Sequence, residues 1–351
     1  MLFIHIVEST ATGTLSMLTV LANSQASNGH SVKVIYSKRP ETPDNLNLLF
    51  HADIELINLN MNTFFEKFAS ILILRKLYLK FNPDKILLHS SFAGFIGRLS
   101  TLGCKYRPFY IPHCISFMRK DIGVAKKLLF IAFEWIASIK PSVYVACSQS
   151  EMTQIKRYIP FSNCQLVENA IDTSSWNSDS SLIVPNTVLT VGQIRPQKNP
   201  QLFAEIAKSL TPLGFKFFWV GDGESEIDKQ LLTESGVTIL GWKSPKEVKT
   251  LLQKSQIFLS TSLWEGLPVS PLEAMLSGCT AILSNCAGNT DIIDNTYNGF
   301  IFNSKEECID IFTSLLAEPS IIPFVSKNGI DRVSSHYCLE RYISEFDALL
   351  K

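Results

Sequence analysis

Two glutamates frame the segment EGLPVSPLE, which lies between a predicted strand and a predicted helix. Glu265 falls in the loop beside Gly266, and Glu273 falls in the first turn or so of the helix. A carboxylate can accept hydrogen bonds from both hydroxyls of a ribose, and a second carboxylate can hold sugar hydroxyls or stabilise an oxocarbenium-like centre. The pattern indicates a sugar-binding loop; the alternative is a helix N-terminus whose acids only suit the helix dipole.

Two cations lie three residues apart in another strand-to-helix loop, VGQIRPQKNP at residues 191–200. A strand is expected to end at Gly192 and a helix to open near Asn199, with Pro200 in its first turn. Arg195 can bind two anionic oxygens at once and Lys198 acts as a point charge, beside a helix N-terminus that also favours anions. The loop predicts a diphosphate site; two ordinary surface cations are the alternative.

Glycines follow two further strands. Gly221 and Gly223 follow the strand FFWV, but Glu226 stands where a dinucleotide-binding fingerprint needs its third glycine, so a hydride-transfer enzyme loses its main support. The two glycines predict either a tight turn or close approach of the backbone to a nucleotide. Gly13 lies in the first strand-to-helix loop, where backbone amides can meet an anion; a purely structural loop is the alternative.

Two of the six histidines close predicted strands: His89 ends the run LLH, and His113 follows YIP. A parallel sheet would bring both to the same edge, and His113 in particular is predicted to contact a ligand. The alternative for each is a hydrogen-bonded structural role. His5 lies inside the first strand and is predicted to belong to the core.

Short apolar runs alternate with longer helical patterns along the chain, which predicts parallel α/β layers. The predicted strands are 3–7, 32–36, 54–56, 85–88, 109–111, 143–146, 165–167, 187–191, 215–220, 237–240, 257–260, 280–283 and 300–302. Predicted helices include 15–26, 63–80, 124–139, 199–210, 245–254 and 271–277, and a helical tail from residue 320 with breaks at Asn328-Gly329 and His336.

The length of 351 residues favours two domains. A segment rich in Ser, Asn and Asp before residue 187 has the composition of a linker. The predicted organisation is therefore a first domain at 1–170, a linker at 171–186, a second domain at 187–330 and a C-terminal helix at 331–351 that packs back on the first domain.

The charge is balanced overall, with 32 Lys and Arg against 32 Asp and Glu, which argues against a basic nucleic-acid-binding protein. Residues 1–170 nevertheless hold 18 basic and 11 acidic residues, a net charge of +7, and the remainder holds 14 and 21, a net charge of −7. The basic half predicts an anionic partner such as a phosphate-bearing acceptor or a lipid surface; attraction between the two domains, or chance, is the alternative.

Two helical stretches, 63–80 and 117–130, combine aromatic residues with Lys and Arg. This pattern predicts either contact with a membrane surface or packing against the sheet with a solvated far face. No run reaches the roughly 18 apolar residues of a spanning helix, and the N-terminus is interpreted as a first strand with no leader. Eight scattered cysteines without a metal-binding spacing predict free thiols in a reducing cytosol and no metal site.

Taken together, these segments resemble glycosyltransferase family 4, the retaining nucleotide-sugar enzymes of the GT-B fold, in which two doubly wound Rossmann-like domains face each other across a cleft. The resemblance covers nearly the whole chain. It is carried by VGQIRPQKNP, FFWVGDGE and EGLPVSPLEAMLSGC, the last being similar to the family's EX7E motif. The segments SSFAGFIGRL and PHCISF resemble bacterial enzymes that build O-antigen, capsule or exopolysaccharide on a lipid carrier.

The resemblance implies a role for each candidate residue. Arg195 and Lys198 match the pair that neutralises the donor diphosphate. Glu273 matches the ribose-binding carboxylate, Glu265 the acid near the donor sugar, and His113 the histidine near the reacting sugar. The implied donor-binding set also includes Gly13, Gly192, Gly221, Gly266 and Leu267. Position 12 is Thr where the family commonly has a second glycine, so the match of that loop is partial.

The implied function is transfer of a hexose from a nucleotide-diphosphate sugar, with a UDP-sugar expected, to a glycan acceptor on a polyprenyl diphosphate, in bacterial surface polysaccharide synthesis. The donor is expected on the second domain and the acceptor on the first. The resemblance implies a cytoplasmic enzyme at the inner membrane surface that needs no metal or cofactor and binds no nucleic acid. Two alternatives stay open: a non-catalytic sugar-nucleotide-binding or scaffolding protein of the same assembly, and a nucleotide-sugar epimerase on the same fold.

Overall fold

A computed structural model describes residues 1–10, 12–40, 42–176 and 178–351 of the chain. These residues divide into two compact units, Met1–Asn169 with Tyr342–Lys351, and Ala170–Arg341. The stretch 171–186, predicted as a linker, falls in the second unit, and a strand begins within it at Val184.

The first unit is built on a seven-stranded parallel sheet. Its strands are β1 (Leu2–Val7), β2 (Ser31–Tyr36), β3 (Glu55–Asn58), β4 (Lys85–His89), β5 (Phe109–Ile111), β6 (Val143–Ala146) and β7 (Asn163–Leu166). Their order in the sheet is β3-β2-β1-β4-β5-β6-β7. The helices are α1 (Thr12–Ser27), α2 (Phe64–Phe81), α3 (Ser91–Ser100), α4 (Val124–Ser138) and α5 (Gln149–Tyr158). The central strands are buried along almost their whole length, as a parallel sheet covered on both faces requires.

The second unit repeats this plan with six parallel strands. They are β8 (Val184–Val191), β9 (Lys216–Val220), β10 (Val237–Gly241), β11 (Ser255–Ser260), β12 (Thr280–Ser284) and β13 (Phe300–Phe302), in the order β10-β9-β8-β11-β12-β13. From Tyr342 onward, α13 (Leu339–Leu350) is part of the first unit. The helices of the second unit are α6 (Pro200–Leu210), α7 (Glu226–Glu234), α8 (Pro245–Lys254), α9 (Val269–Leu276), α10 (Asn289–Ile292), α11 (Lys305–Ala317) and α12 (Ile321–His336). Its core contains an aromatic cluster in which Phe203 packs edge-on against Trp219, with ring centroids 5.0 Å apart.

The predicted fold class is confirmed: each unit is a doubly wound parallel sheet. The strand order reverses between β1 and β4 in the first unit and between β8 and β11 in the second. Ligands of such sheets bind outside the carboxyl ends of the strands at this reversal. The loops after β8 and β11, which carry the cations and the first glutamate, therefore lie at the expected position in the second unit.

The predicted helix break at Asn328-Gly329 is wrong, because α12 runs unbroken through both residues. The glycine serves close packing instead of a turn: a Cβ at Gly329 would lie 3.2 Å from the carbonyl oxygen of Asn298 and 3.3 Å from Cε of Met275. Asn328 faces the same neighbour segment and donates from Nδ2 to the carbonyl of Tyr297 at 3.0 Å. The second predicted break, at His336, coincides with the end of α12.

Candidate active site

The loop after β8 holds Lys198 against its own first residue. Residues Pro196–Lys198 form a single 3-10 turn, and Asn199 then adopts a left-handed conformation and caps α6. The Lys198 side chain crosses Gly192, where a Cβ would lie only 2.9 Å from Lys198 Cε. Gly192 also has a φ of +149°, so both its backbone and the space above it favour glycine.

The loop after β11 docks on this first loop through the backbone. Thr261 donates from Oγ1 to the carbonyl of Lys198 at 2.7 Å, and the Leu263 amide donates to the carbonyl of Gln197 at 2.8 Å. These contacts place Glu265, which follows two residues later, beside the lysine.

Glu265 is 7% exposed, and its carboxylate is fully engaged. Lys198 Nζ lies 2.8 Å from Oε1, and Ser262 Oγ donates to the same oxygen at 2.8 Å. Gln197 donates from Nε2 to Oε2 at 3.1 Å. Two motifs predicted to serve one ligand are thus joined by a largely buried ion pair.

Arg195 and Glu273 lie on the same two segments without joining this network. Arg195 is exposed and precedes the 3-10 turn. Glu273 lies in the second turn of α9, which begins at Val269, two residues earlier than predicted. Neither side chain has a hydrogen bond or ion pair with a described residue. Because the Glu273 carboxyl group is buried without such a partner, its pKa is raised to about 7.

Close packing accounts for the two glycines of the loop after β9. A Cβ at Gly221 would lie 2.1 Å from the carbonyl oxygen of Gly192, and one at Gly223 would lie 2.2 Å from that of Ile194. The sequence predicted either a tight turn or close approach of the backbone to a nucleotide. In the structure the backbone of the loop after β9 does make a close approach, but to the neighbouring loop after β8. A role for Gly221 in donor binding stays a prediction. Gly266 and Leu267 are buried directly after Glu265.

The candidate residues of the first unit lie near β1 and β5. Gly13 lies in the first turn of α1, which begins at Thr12, earlier than the predicted start near Leu15; nothing lies within 4 Å of a Cβ placed there. His113 follows β5 with a φ of +54°, and its Nε2 lies 3.0 Å from Nδ1 of His89. His89 and His5 are both fully buried and hydrogen-bonded to each other. The core position predicted for His5 is confirmed.

Two family models match the chain and together span most of it. "Glycosyltransferase Family 4" matches residues 12–175, and "Glycosyl transferases group 1" matches residues 178–327. The chain belongs to glycosyltransferase family 4. The motifs that carried the resemblance, at residues 191–200 and 265–279, both lie inside the second match.

Known proteins similar to this glycosyltransferase agree with that assignment. An Escherichia coli protein named UDP-Gal:alpha-D-GlcNAc-diphosphoundecaprenol alpha-1,3-galactosyltransferase is 26% identical over 80% of this chain and 78% of its own length. Among solved structures, sucrose-phosphate synthase from Thermosynechococcus elongatus superposes with a TM-score of 0.85 at 14% identity, covering 99% of this chain and 98% of the other. Anabaena HepE in complex with UDP and glucose gives 0.83 at 16% identity, covering 100% and 99%. These structures show that the glycosyltransferase has the GT-B fold.

Sequence reasoning missed two residues of the glycosyltransferase's candidate site, Gln197 and Ser262. Both hydrogen-bond the Glu265 carboxylate. Gln197 stands between Pro196 and Lys198 within the motif itself, so its position was a usable signal. Ser262 offered no such signal, because serines are common in loops and only the docking of the two loops gives this one a partner.

Among the described residues of the glycosyltransferase, no group of three or more His, Cys, Asp and Glu side chains is arranged to hold a metal ion. No single described helix is long and apolar enough to cross a membrane, and α11 and α12, bent by 113° at their junction, pass that test of length and composition only as a pair.

Proposed function

We propose that this glycosyltransferase moves a hexose from a UDP-sugar to a glycan on undecaprenyl diphosphate during synthesis of a bacterial surface polysaccharide. The E. coli relative carries a name that states this donor nucleotide and this class of acceptor. Relatives named as glycosyltransferases of O-antigen biosynthesis in Escherichia coli and of amylovoran biosynthesis in Erwinia amylovora support the polysaccharide context. We propose that the enzyme works at the cytoplasmic face of the inner membrane.

The observation that carries the proposal is the joining of the two loops by Lys198 and Glu265. Their ion pair lies in loops at the reversal of the strand order, which supports binding of a diphosphate by Lys198 and of the adjoining sugar by Glu265. Arg195 adds a second cation on the same loop. Glu273, on the helix that follows, supplies the carboxylate for the ribose hydroxyls.

In the proposed reaction, the bond between the sugar C1 and the oxygen of the β-phosphate breaks, and a bond from C1 to the acceptor hydroxyl oxygen forms on the same face. The acceptor proton passes to a phosphate oxygen of the leaving nucleoside diphosphate, so no protein base is assigned. Lys198 and Arg195 stabilise the negative charge that grows on the leaving group. His113 is proposed to hydrogen-bond a hydroxyl of the reacting sugar.

The test is transfer of radiolabelled galactose from UDP-galactose to an undecaprenyl-diphosphate-linked GlcNAc. Lys198→Ala and Arg195→Ala should each lower kcat by roughly 10²–10³-fold, the usual cost of removing one preorganised charge-stabilising group. Lys208→Ala, which removes an exposed lysine of α6, is the matched control and should leave kcat unchanged. Near-normal transfer by both variants would refute the roles of the two cations.

Other donors are screened by thermal shift with UDP-, GDP- and dTDP-sugars, because a bound donor stabilises the folded state by mass action. A stabilising nucleotide other than UDP would correct the donor. Conversion of the donor without an acceptor would favour an epimerase, and donor binding with no turnover across a panel of acceptors would favour a scaffolding protein.

We further propose that α2 and α4 of the first unit contact the membrane that carries the acceptor. Both helices expose apolar side chains at helical spacing: Leu72 and Leu79 on α2, and Val124 and Leu128 on α4, are 60–75% exposed. Lysines accompany them, among them Lys76, Lys80, Lys126 and Lys127. Apolar side chains edged by lysine suit the interface of an anionic bilayer.

Co-sedimentation with vesicles tests this surface. The protein should bind vesicles of phosphatidylglycerol and phosphatidylethanolamine more strongly than vesicles of phosphatidylcholine, and the double variant Leu72→Ser, Leu79→Ser should lose most of that binding. Ile227→Ser, at an equally exposed apolar position of α7 in the second unit, is the control and should bind like the parent. Equal loss in both variants would contradict the assignment to α2.

A further inference from the structure

Three imidazole rings form a hydrogen-bonded row that runs from His5, inside β1, through His89, the last residue of β4, to His113, which follows β5. His5 Nδ1 lies 3.0 Å from His89 Nε2, and His89 Nδ1 lies 3.0 Å from His113 Nε2. The rings are nearly parallel, with successive centroids 5.3 Å apart. At the inner end, His5 Nε2 lies 2.7 Å from Oε1 of Gln25 on α1, a side chain that is itself almost fully buried.

Each ring in the row is neutral at pH 7. Burial lowers the pKa of His5 and of His113 to about 4. Burial, together with the two flanking imidazoles, also lowers the pKa of His89 well below its usual value. A neutral imidazole carries one N–H and one lone pair, so it can donate at only one nitrogen. The direction of one hydrogen bond in the row therefore fixes the direction of all the others.

Gln25 sets that direction. Its Oε1 can only accept, so His5 must carry its proton on Nε2 and present a lone pair at Nδ1. His89 must then donate from Nε2 to His5, and His113 must donate from Nε2 to His89. The remaining nitrogen, His113 Nδ1, is left with its lone pair. It is buried and has no hydrogen-bond partner among the described residues.

Hydrogen bonds also fix the backbone at the outer end of the row. His113 and Cys114 have φ values of +54° and +100°, a conformation that costs free energy for residues other than glycine. The buried carboxylate of Glu151 stabilises this turn, since its Oε1 accepts from the amides of Cys114 and Ile115, each at 2.8 Å. Its Oε2 accepts from the amide of Cys147, also at 2.8 Å.

We propose that Gln25, His5 and His89 are positioning residues that keep His113 protonated on Nε2, so that its Nδ1 offers an acceptor lone pair to a substrate hydroxyl. That the hydroxyl belongs to a sugar rests on the function proposed above. The row then explains why His5 and His89 are fully buried. If the oxygen and nitrogen of the Gln25 amide exchanged places, every hydrogen bond of the row would reverse and His113 would carry its proton on Nδ1. The experiment must therefore distinguish a proton on Nε2 of His113 from a proton on Nδ1.

The experiment is nitrogen-15 NMR of histidine-labelled protein at pH 7, without donor or acceptor, with His113 assigned by the missing signals of His113→Gln. We expect the His113 proton on Nε2 and an unprotonated Nδ1. A proton on Nδ1 in the parent protein would overturn the proposal. Because no substrate is present, failure of the glycosyltransferase activity would not affect this result.

Two variants test whether the row sets the proton. His89→Phe keeps a ring of similar size but removes the acceptor for His113, and Gln25→Met removes the group that sets the direction. In either folded variant the His113 proton should appear at least partly on Nδ1, and kcat/KM should fall roughly tenfold, the scale of one hydrogen bond. Gln165→Met, an exposed glutamine on β7, is the control.

A purely structural role would lower the melting temperature of the variants without moving the His113 proton. An unchanged His113 spectrum in both variants would therefore refute the relay even if stability fell. Gln25→Met decides the question if His89→Phe does not fold, because the row of rings remains intact in it.

Discussion

The carboxyl group of Glu273 should make donor binding depend on pH. Burial raises its pKa from 4.5 to about 7, and the side chain has no hydrogen-bond donor among the described residues. If ribose hydroxyls donate to the carboxylate, the donor favours the ionised form and binding releases a proton. Between pH 8 and pH 6 the ionised fraction of the free enzyme falls from about 10/11 to about 1/11, so the apparent Kd should rise about tenfold.

Calorimetric titration with UDP-galactose at pH 6, 7 and 8 measures this effect, since the diphosphate diester of the ligand does not itself titrate near pH 7. In buffers of different ionisation enthalpy, binding at pH 7 should release about half a proton. Glu273→Gln is the matched control: it should bind more weakly than the parent at pH 8 and lose the pH dependence. The same pH dependence in parent and variant would refute the assignment of Glu273 to the donor.

The raised pKa also has a consequence for stability. Because the pKa in the folded state lies above the unfolded value of 4.5, the folded state binds more protons between pH 4.5 and pH 7. The contribution of Glu273 to stability therefore declines as the pH rises through this window. Glu273→Gln removes the buried charge, and it should raise the Tm at pH 8 but leave it nearly unchanged at pH 4.5.

Three further substitutions test buried contacts of Glu265, Glu151 and Arg98. Gly288→Ala should lower the free energy of unfolding by about 1–3 kcal/mol in denaturant titration and reduce transfer, because φ is +85° and a Cβ would lie 2.7 Å from Glu265 Cβ; parent-like stability would contradict the close approach. Glu151→Gln should cost about 1–3 kcal/mol, since an amide NH₂ would face one of the three backbone N–H groups that the carboxylate accepts; equal stability would mean that the turn does not need the carboxylate. Glu134→Ala should cost about 3–5 kcal/mol by leaving the fully buried Arg98 unpaired at 2.7 Å from the lost oxygen; Asp53→Ala, at an exposed position, is the control.

The order of strands and helices followed from the sequence because a parallel sheet is buried on both faces and its strands appear as short apolar runs. The segments 109–111, 143–146 and 300–302 are strands with the predicted bounds. The local rule failed where a turn signal competed with tertiary packing. Asn328-Gly329 is a common turn pair, but Gly329 is the residue that lets α12 approach Met275 and Asn298.

Residue types indicated the candidate site, but its contacts did not follow from them. Lys198 and Glu265 were expected to serve one ligand; that they bind each other depends on the docking of two loops 67 residues apart in the chain. His5 was expected in the core, and it is buried there, but a single strand does not show that β1 and β4 place His5 and His89 at hydrogen-bonding distance. Contacts of this kind come from the register between strands, which a single sequence does not contain.

The ion pair between Lys198 and Glu265 has one role before the donor binds and another after it binds. Without a donor, a lysine that is only 15% exposed needs a nearby carboxylate, because a charge taken out of water without a partner is costly. The carboxylate also holds the ammonium in one place, so that less side-chain freedom remains to be lost when a diphosphate arrives. In the proposed reaction the diphosphate then becomes the partner of Lys198, and the negative charge of Glu265 can act on the positive charge developing at the sugar. Arg195, exposed and without a carboxylate partner among the described residues, needs no such arrangement, and this explains why the two cations of one loop have different surroundings.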